Sequence, residues 1–445
     1  MKRLLLLLTG LLLPACSVAA QETAPATAIA SATAMVPIDC PGSVGRETRC
    51  LSGQDANGAW YIIAMPANWN HNLVVHAHGG PRTGRPEAAD PLEDLDRFSV
   101  VVRAGSAWVG STYRRGGYGV TMAAEDTDNA RQLFEAQFGR PAHTILHGQS
   151  WGGNVAAKLA ELHPLAADGS RNYDGVVLTN GVIGGGTRSY QFRADLRAVY
   201  QFYCNNHPLP TETAYPLWQG LPANQHRMSR AELTRRVDQC TGIDTPRSRR
   251  TSTQRRNLRN ILAVTGVPQE TLVAHLAWAT NLFQDMVQRR LGGRNPFSNI
   301  GVVYSGSDDD AALNAGVERF AADPAAVAAL AGDSDMTGEI VLPTLTLHAI
   351  HDPTAFVTLE ALYRETVAGA GRSDLLAQTF TDEAEHSALS STEYAAVFAV
   401  MLDWIETGTR PTPVTVAARC ETLKATVRGG CHFEPDFTPA LPPLR

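Results

Sequence analysis

Ser150 stands in Gly148-Gln149-Ser150-Trp151-Gly152, a G-x-S-x-G pattern between the apolar run Thr144-Ile145-Leu146 and a helix-like stretch over residues 154–162. A serine hydroxyl becomes a nucleophile only when a base removes its proton, and the base needs a carboxylate to fix its tautomer and stabilise its cation. The strand-to-helix bend that lifts a serine clear of a sheet crowds its neighbours, so hydrogen side chains flank it. Candidates for both partners follow in chain order. His351-Asp352-Pro353 comes after the run 344–348, and Glu385-His386-Ser387 after 376–380. Groups at successive strand ends would face such a serine, so Asp352 is read as the acid and His386 as the base; Asp308, Asp309, Asp310 and Asp382 compete with Asp352. Acyl transfer also needs preorganised N–H donors for its oxyanion. Trp151, directly after the serine, offers one backbone N–H. The turn His78-Gly79-Gly80-Pro81 offers the other from Gly80, since proline has no N–H. His76 and His78 share a strand face, but no third ligand at metal spacing accompanies them, so neither metal nor organic cofactor is expected.

The elements that must position these groups can be read from the rest of the chain. Residues 59–65, 73–77, 107–111, 175–179, 344–348 and, more weakly, 376–380 read as strands, and helical spacing appears over 122–138 and 154–162. Strands alternating with helices indicate a mostly parallel, doubly wound α/β sheet. The alternation stops at Gly184-Gly185-Gly186 and resumes near Asn299. Between them lie a capping box at Ser229 to Glu232 and an amphipathic helix opened by Pro268, with Leu272, Leu276, Ala279, Phe283 and Met286 on one face. Residues 184–298 therefore read as a helical cap inserted between two parts of an α/β core, 37–183 and 299–410. A second capping box, Ser390 to Glu393, opens a last helix, and 411–445 reads as an irregular, disulfide-bearing tail.

The 445 residues, 44% hydrophobic and 18% charged, suit one large core with an insertion. The net charge of −6 argues against nucleic acid as a partner. Met1-Lys2-Arg3, an apolar run over 4–13 and small residues to Ala20 read as a signal peptide, with 21–36 a flexible lead-in. Val18-Ala19-Ala20 suits signal peptidase and a secreted or periplasmic product; Leu13-Pro14-Ala15-Cys16 resembles a lipobox and an outer-membrane lipoprotein, whose membrane attachment would be a lipid on Cys16. Six further cysteines in an exported chain suggest disulfides, and pairing of sequence neighbours predicts Cys40 with Cys50, Cys204 with Cys240 and Cys420 with Cys431.

The His78-Gly79-Gly80 turn, the bend at Ser150, Asp352 and His386 together resemble the α/β-hydrolase superfamily over about residues 45–183 and 299–410, and within it exported bacterial serine hydrolases. The resemblance implies an α/β-hydrolase fold with an inserted helical cap and a Ser-Asp-His order of catalytic groups. His78-Gly79-Gly80-Pro81 and Ser150-Trp151-Gly152-Gly153 also resemble proline iminopeptidase-type aminopeptidases, although Arg82 and Gln149 stand where that family has glycine. The cap holds sixteen Arg, no Lys and seven acidic residues, so it carries +9 and the remainder −15. An aminopeptidase needs cap carboxylates for the substrate ammonium, and their scarcity favours a carboxylic ester as substrate. A short peptide cleaved at its amino terminus is the alternative, and an inert hydrolase-like binding protein a further one.

Overall fold

The computed structural model of the protein describes residues 34–442; the leader, both processing sites and Cys16 lie outside them. One mixed sheet of nine strands runs through the described chain. Its strands are β1 (Val36–Ile38), β2 (Arg49–Gln54), β3 (Trp60–Met65), β4 (Asn72–Ala77), β5 (Ala107–Ser111), β6 (His143–Gln149), β7 (Gly175–Thr179), β8 (Thr344–Ala349) and β9 (Leu376–Thr381). They lie in the order β1-β2-β3-β5-β4-β6-β7-β8-β9. The first four in that order pair antiparallel, and every later pair is parallel. β4, β5, β7 and β8 are buried along their whole length, as expected where helices cover both faces of a parallel sheet. One face packs against the helices Val120–Phe138 and Trp151–Leu162 and the insertion, the other against Ser391–Thr407 and Pro413–Leu423.

The chain leaves the sheet after β7 and returns at β8. Within that excursion Gln191–Cys204, Arg230–Thr241 and Ser252–Thr265 are helices, and a further helix runs from Leu272 to Arg290. The last widens to a π-helix over Trp278–Leu282 and Asp285–Arg290, a widening that often accompanies functional positions. Its expected apolar face is nonetheless buried: Leu272, Leu276, Ala279, Phe283 and Met286 have no accessible surface. Residues 299–343, expected to belong to the returning core, hold the helices Asp310–Gly316 and Pro324–Ser334 and no strand. Ser229 caps its helix by accepting from the Glu232 N–H at 3.1 Å. The reciprocal bond of a capping box is absent there because the Glu232 carboxylate turns to Arg235 and Arg236.

Cysteine pairs Cys40–Cys50, Cys204–Cys240 and Cys420–Cys431 are bonded, with Cα separations of 5.4, 5.4 and 5.9 Å. The middle pair ties two insertion helices together. The tail is more regular than its prolines suggest: Pro413 occupies the first turn of a helix whose N-cap Thr412 accepts from Thr415 N–H, and both features favour helix initiation. Past the last disulfide, Phe433 pairs with Thr381 at the end of β9. β1 and β2, neither of them apparent in the sequence, extend the antiparallel edge, and Val36 of the expected lead-in begins β1.

Close backbone approach at Gly152 sets a testable requirement. A Cβ there would lie 2.0 Å from Ala77 O and 2.6 Å from His78 O, both fixed backbone. Gly152→Ala is therefore expected to cost ~3 kcal/mol or more by overpacking. Gly371→Ala, at φ 71° but with nothing within 4 Å of the added atom, should cost about 1 kcal/mol. Urea unfolding of the two variants would show the difference, and equal costs would refute the close-packed bend.

Candidate functional site

Gly80, Ser150, Trp151, Asp352 and His386 each lie past the carboxyl end of a parallel strand, where open α/β sheets form their crevices. Ser150 follows β6 at φ 57° and ψ −124°, a conformation that a non-glycine residue holds only under constraint. The constraint is visible. Ser150 N–H donates to Thr179 O at 3.0 Å, and Ser150 O accepts from Gly153 and Val182 N–H at 2.9 and 2.8 Å. Cβ atoms on Gly148 and Gly152 would collide with backbone at 2.2 and 2.0 Å. Trp151 begins the following helix, so its N–H is among those with no acceptor inside the helix. Past β4, a Cβ on Gly79 would lie 3.1 Å from Ser150 Cβ, so this turn abuts the serine, and Gly80 adopts φ 73°. Tyr113, at the end of β5, steadies the turn through its hydroxyl, 3.0 Å from His78 O.

His386 Nε2 lies 2.7 Å from Ser150 Oγ, and His386 Nδ1 lies 2.7 Å from Asp352 Oδ2. A carboxylate only accepts, so Nδ1 carries the proton and Nε2 is free to receive one from the serine. The Asp352 side chain is fully buried, and its Oδ1 accepts from the N–H groups of Thr354 and Ala355 at 2.7 and 3.0 Å. The competing carboxylates are engaged elsewhere. Asp308 faces Asn260, Arg256 and Arg259; Asp309 caps a helix; Asp310 accepts from Ser307; Asp382 sits 2.9 Å from His351.

Two amides missed by the sequence reading hold the His386 loop. Gln149 Nε2 donates to His386 O at 3.2 Å and Ser387 Oγ at 2.9 Å. Asn180 Nδ2 donates to His386 O at 2.6 Å while its Oδ1 accepts from Ala349 N–H at 2.8 Å, joining the ends of β7, β8 and the loop. Asn180 holds φ 43°, which asparagine tolerates better than most residues; its place directly after a buried strand is the signal that could have found it. The tail braces the loop from outside, with His432 Nδ1 2.8 Å from Glu383 Oε1 and 3.1 Å from Glu393 Oε1. Burial pushes the Glu393 carboxyl up to about 7.

The insertion grips the acid turn. His275 Nε2 lies 2.9 Å from Pro353 O and Thr271 Oγ1 donates to the same oxygen at 3.1 Å. Since Nε2 donates to a carbonyl, His275 Nδ1 accepts from Arg193 Nε at 3.2 Å. Burial and the Arg193 charge lower the His275 pKa to about 3, which agrees with a neutral ring. A cleft of about 620 Å³ opens between Gly80 and this part of the insertion, walled by Trp278 and rimmed by Arg82, Arg227 and Arg230.

Behind Asp352 lies a second imidazole, buried His348 on β8. Both of its ring nitrogens face acceptors: Nδ1 is 3.2 Å from Glu360 Oε1 and Nε2 is 2.8 Å from Ala355 O, with Asp352 Oδ2 at 3.8 Å. Glu360 Oε2 itself accepts from Thr346 and Gln378. These contacts are satisfied together by an imidazolium beside a carboxylate. Burial alone would lower the His348 pKa, but the hydrogen bond and charge of Glu360, with the charge of Asp352, outweigh it and raise the value. A raised folded pKa means that this stabilisation is complete below the unfolded value, near ~6.5, and fades as pH climbs through the folded value. We expect ¹⁵N NMR to find His348 charged at pH 6.5 and Glu360→Gln to leave it neutral there. A neutral His348 in the unaltered protein at that pH would remove the ion pair.

No protein-family model and no curated protein sequence matches the chain. Among solved structures it is similar to an esterase from Aspergillus oryzae, at a TM-score of 0.50 and 14% identity over 86% of this chain and 88% of that one. Feruloyl esterase B from Aspergillus oryzae gives 0.46 at 12% identity over 87% and 89% of the two chains. Candida antarctica lipase A in its closed state gives 0.45 at 12% over 86% and 84%. The nine-stranded sheet and the first of these likenesses establish the α/β-hydrolase fold.

Proposed function

We propose that this protein is an exported serine hydrolase that cleaves carboxylic esters through an acyl-enzyme. The observation that carries this reading is the pair of 2.7 Å contacts joining Ser150, His386 and Asp352. His386 Nε2 takes the Ser150 proton as Oγ forms a bond to the ester carbonyl carbon. The carbonyl oxygen becomes an anion and is received by the N–H groups of Trp151 and Gly80. Asp352 stabilises the imidazolium, and its own carboxylate is held in place by the N–H groups of Thr354 and Ala355. When the carbon–oxygen bond breaks, His386 returns its proton to the leaving alkoxide. Water then repeats the sequence on the acyl-serine, releasing the acid and restoring the hydroxyl.

Three supports favour esters and export. No carboxylate among the described residues lines the cleft beside Gly80, so a peptide's terminal ammonium would meet arginines there, which weighs against the aminopeptidase alternative. An inert binding protein would have no use for a strained Ser150, because strain persists where the surrounding structure over-determines it for function. Three disulfides suit an oxidising compartment reached through the leader; no helix among the described residues is long and apolar enough to cross a membrane.

Ser150→Ala should lower kcat for 4-nitrophenyl acetate by about a thousandfold or more at an unchanged melting temperature. A fluorophosphonate should label the unaltered protein at Ser150 alone. Full activity in Ser150→Ala would end the proposal. Asp352→Asn should cost on the order of 10⁴ in kcat, whereas Asp382→Asn should cost little; the reverse order would transfer the acid role.

A further inference from the structure

We infer that the cleft beside Gly80 selects esters bearing a carboxylate on an apolar body, an inference that rests on the ester hydrolase reading above. The cleft starts at the turn packed against Ser150 and ends on the insertion. Its charges have one sign. Arg82 is already balanced, 2.6 Å from Glu93 and 3.4 Å from Asp90. Arg227 and Arg230 are exposed on the rim, and neither has an ion-pair partner among the described residues.

A third positive group stands behind the Trp278 wall. Arg193 is 1% exposed, and its guanidinium carbon lies 4.4 Å from the Trp278 ring centroid and 4.5 Å from that of Phe192. Its hydrogen bonds go to neutral acceptors, His275 Nδ1 and Thr354 O. No carboxylate among the described residues pairs with it, and burial lowers its pKa only to about 10, so it is a cation at neutral pH. A buried charge is normally paired, because leaving water costs several kcal/mol. Among the described residues its compensation is aromatic and dipolar.

A concave site with like charges at its rim and behind its wall focuses a positive potential, which raises the local concentration of an anion. Between the arginines the lining mixes the apolar Met228, Trp278 and Leu282 with the polar side chains of Thr83, Ser229 and Asn281, so a bare inorganic anion would leave the apolar part unused. A molecule with an apolar middle, an ester at the Gly80 end and a carboxylate at the Arg227 and Arg230 end would use each part of the lining. The bidentate fit of guanidinium to carboxylate favours that anion.

The test compares kcat/KM within two ester pairs that differ by one charge: monoethyl adipate against ethyl hexanoate, and 4-acetoxybenzoate against its methyl ester. The unaltered protein should prefer the anionic member of at least one pair by about tenfold, the size expected of a charge-assisted contact. That preference should shrink with added salt and disappear in the double variant Arg227→Glu, Arg230→Glu, whose melting temperature serves as the folding check. Equal or better turnover of both neutral esters by the unaltered protein would overturn the inference while leaving ester hydrolysis intact. Survival of the preference in the double variant would also overturn it. Failure to hydrolyse any ester, 4-nitrophenyl acetate included, would take both readings down together.

Discussion

The site depends on how closely the first turn of the helix Trp151–Leu162 lies against the ends of β4 and β6. Gly152 has backbone oxygen where any other residue would have a side chain, and Gly148 is pressed against Gly152 in turn. This closeness forces the chain through Ser150 at positive φ and leaves the hydroxyl standing above the sheet edge. It also brings the His78-Gly79-Gly80 turn of β4 against the same serine, so Ser150 and that turn share one constraint. Such packing is achievable only with glycine, which is why the motif has chemical content beyond its letters.

Around that bend the structure spends many polar contacts on holding one imidazole. His386 is carried on a loop after β9, and loops are where chains are most free. Gln149 and Asn180 fix its carbonyl, Asp352 fixes its ring, and the tail reaches Glu383 from the far side. Buried groups of alternating sign continue inward from Asp352 to His348 and Glu360. In a low-dielectric interior such contacts reinforce one another, so Asp352 is backed by buried groups on the side away from His386.

The insertion contributes to both halves of the site. His275 and Thr271 grip the carbonyl of Pro353 in the acid turn, and Asp285 receives the Tyr118 N–H at 2.7 Å in the loop following β5. The π-widened helix that carries His275 and Asp285 also presents Trp278 to the cleft. A segment that forms part of the cleft wall thereby stays mechanically joined to the turn that holds Asp352, and two of its arginines, Arg227 and Arg230, line the cleft.

Local chemistry made part of this legible from sequence alone. β-branched and apolar runs mark β4 to β8, because parallel strands buried on both faces are mostly apolar; the order Ser150, Asp352, His386 is visible in the chain because each residue follows its own strand. Pairing of near cysteines was readable for the same reason of short reach. The strand β2, Arg-Cys-Leu-Ser-Gly-Gln, lies toward the antiparallel edge, where mixed polarity is tolerated and no pattern announces it. The helix Pro413–Leu423 hid behind prolines that in fact start it. The sequence favours Asp352 over Asp308, Asp309, Asp310 and Asp382 as the partner of His386, but the contact itself comes from the fold: Asp382 turns to His351, while Asp352 is locked by two N–H groups of its own turn and reaches His386 Nδ1. Spacing along a chain determines what can sit at a strand's end; the direction in which that end points, and the charges that close around it, come from contacts between segments hundreds of residues apart, which no local pattern encodes.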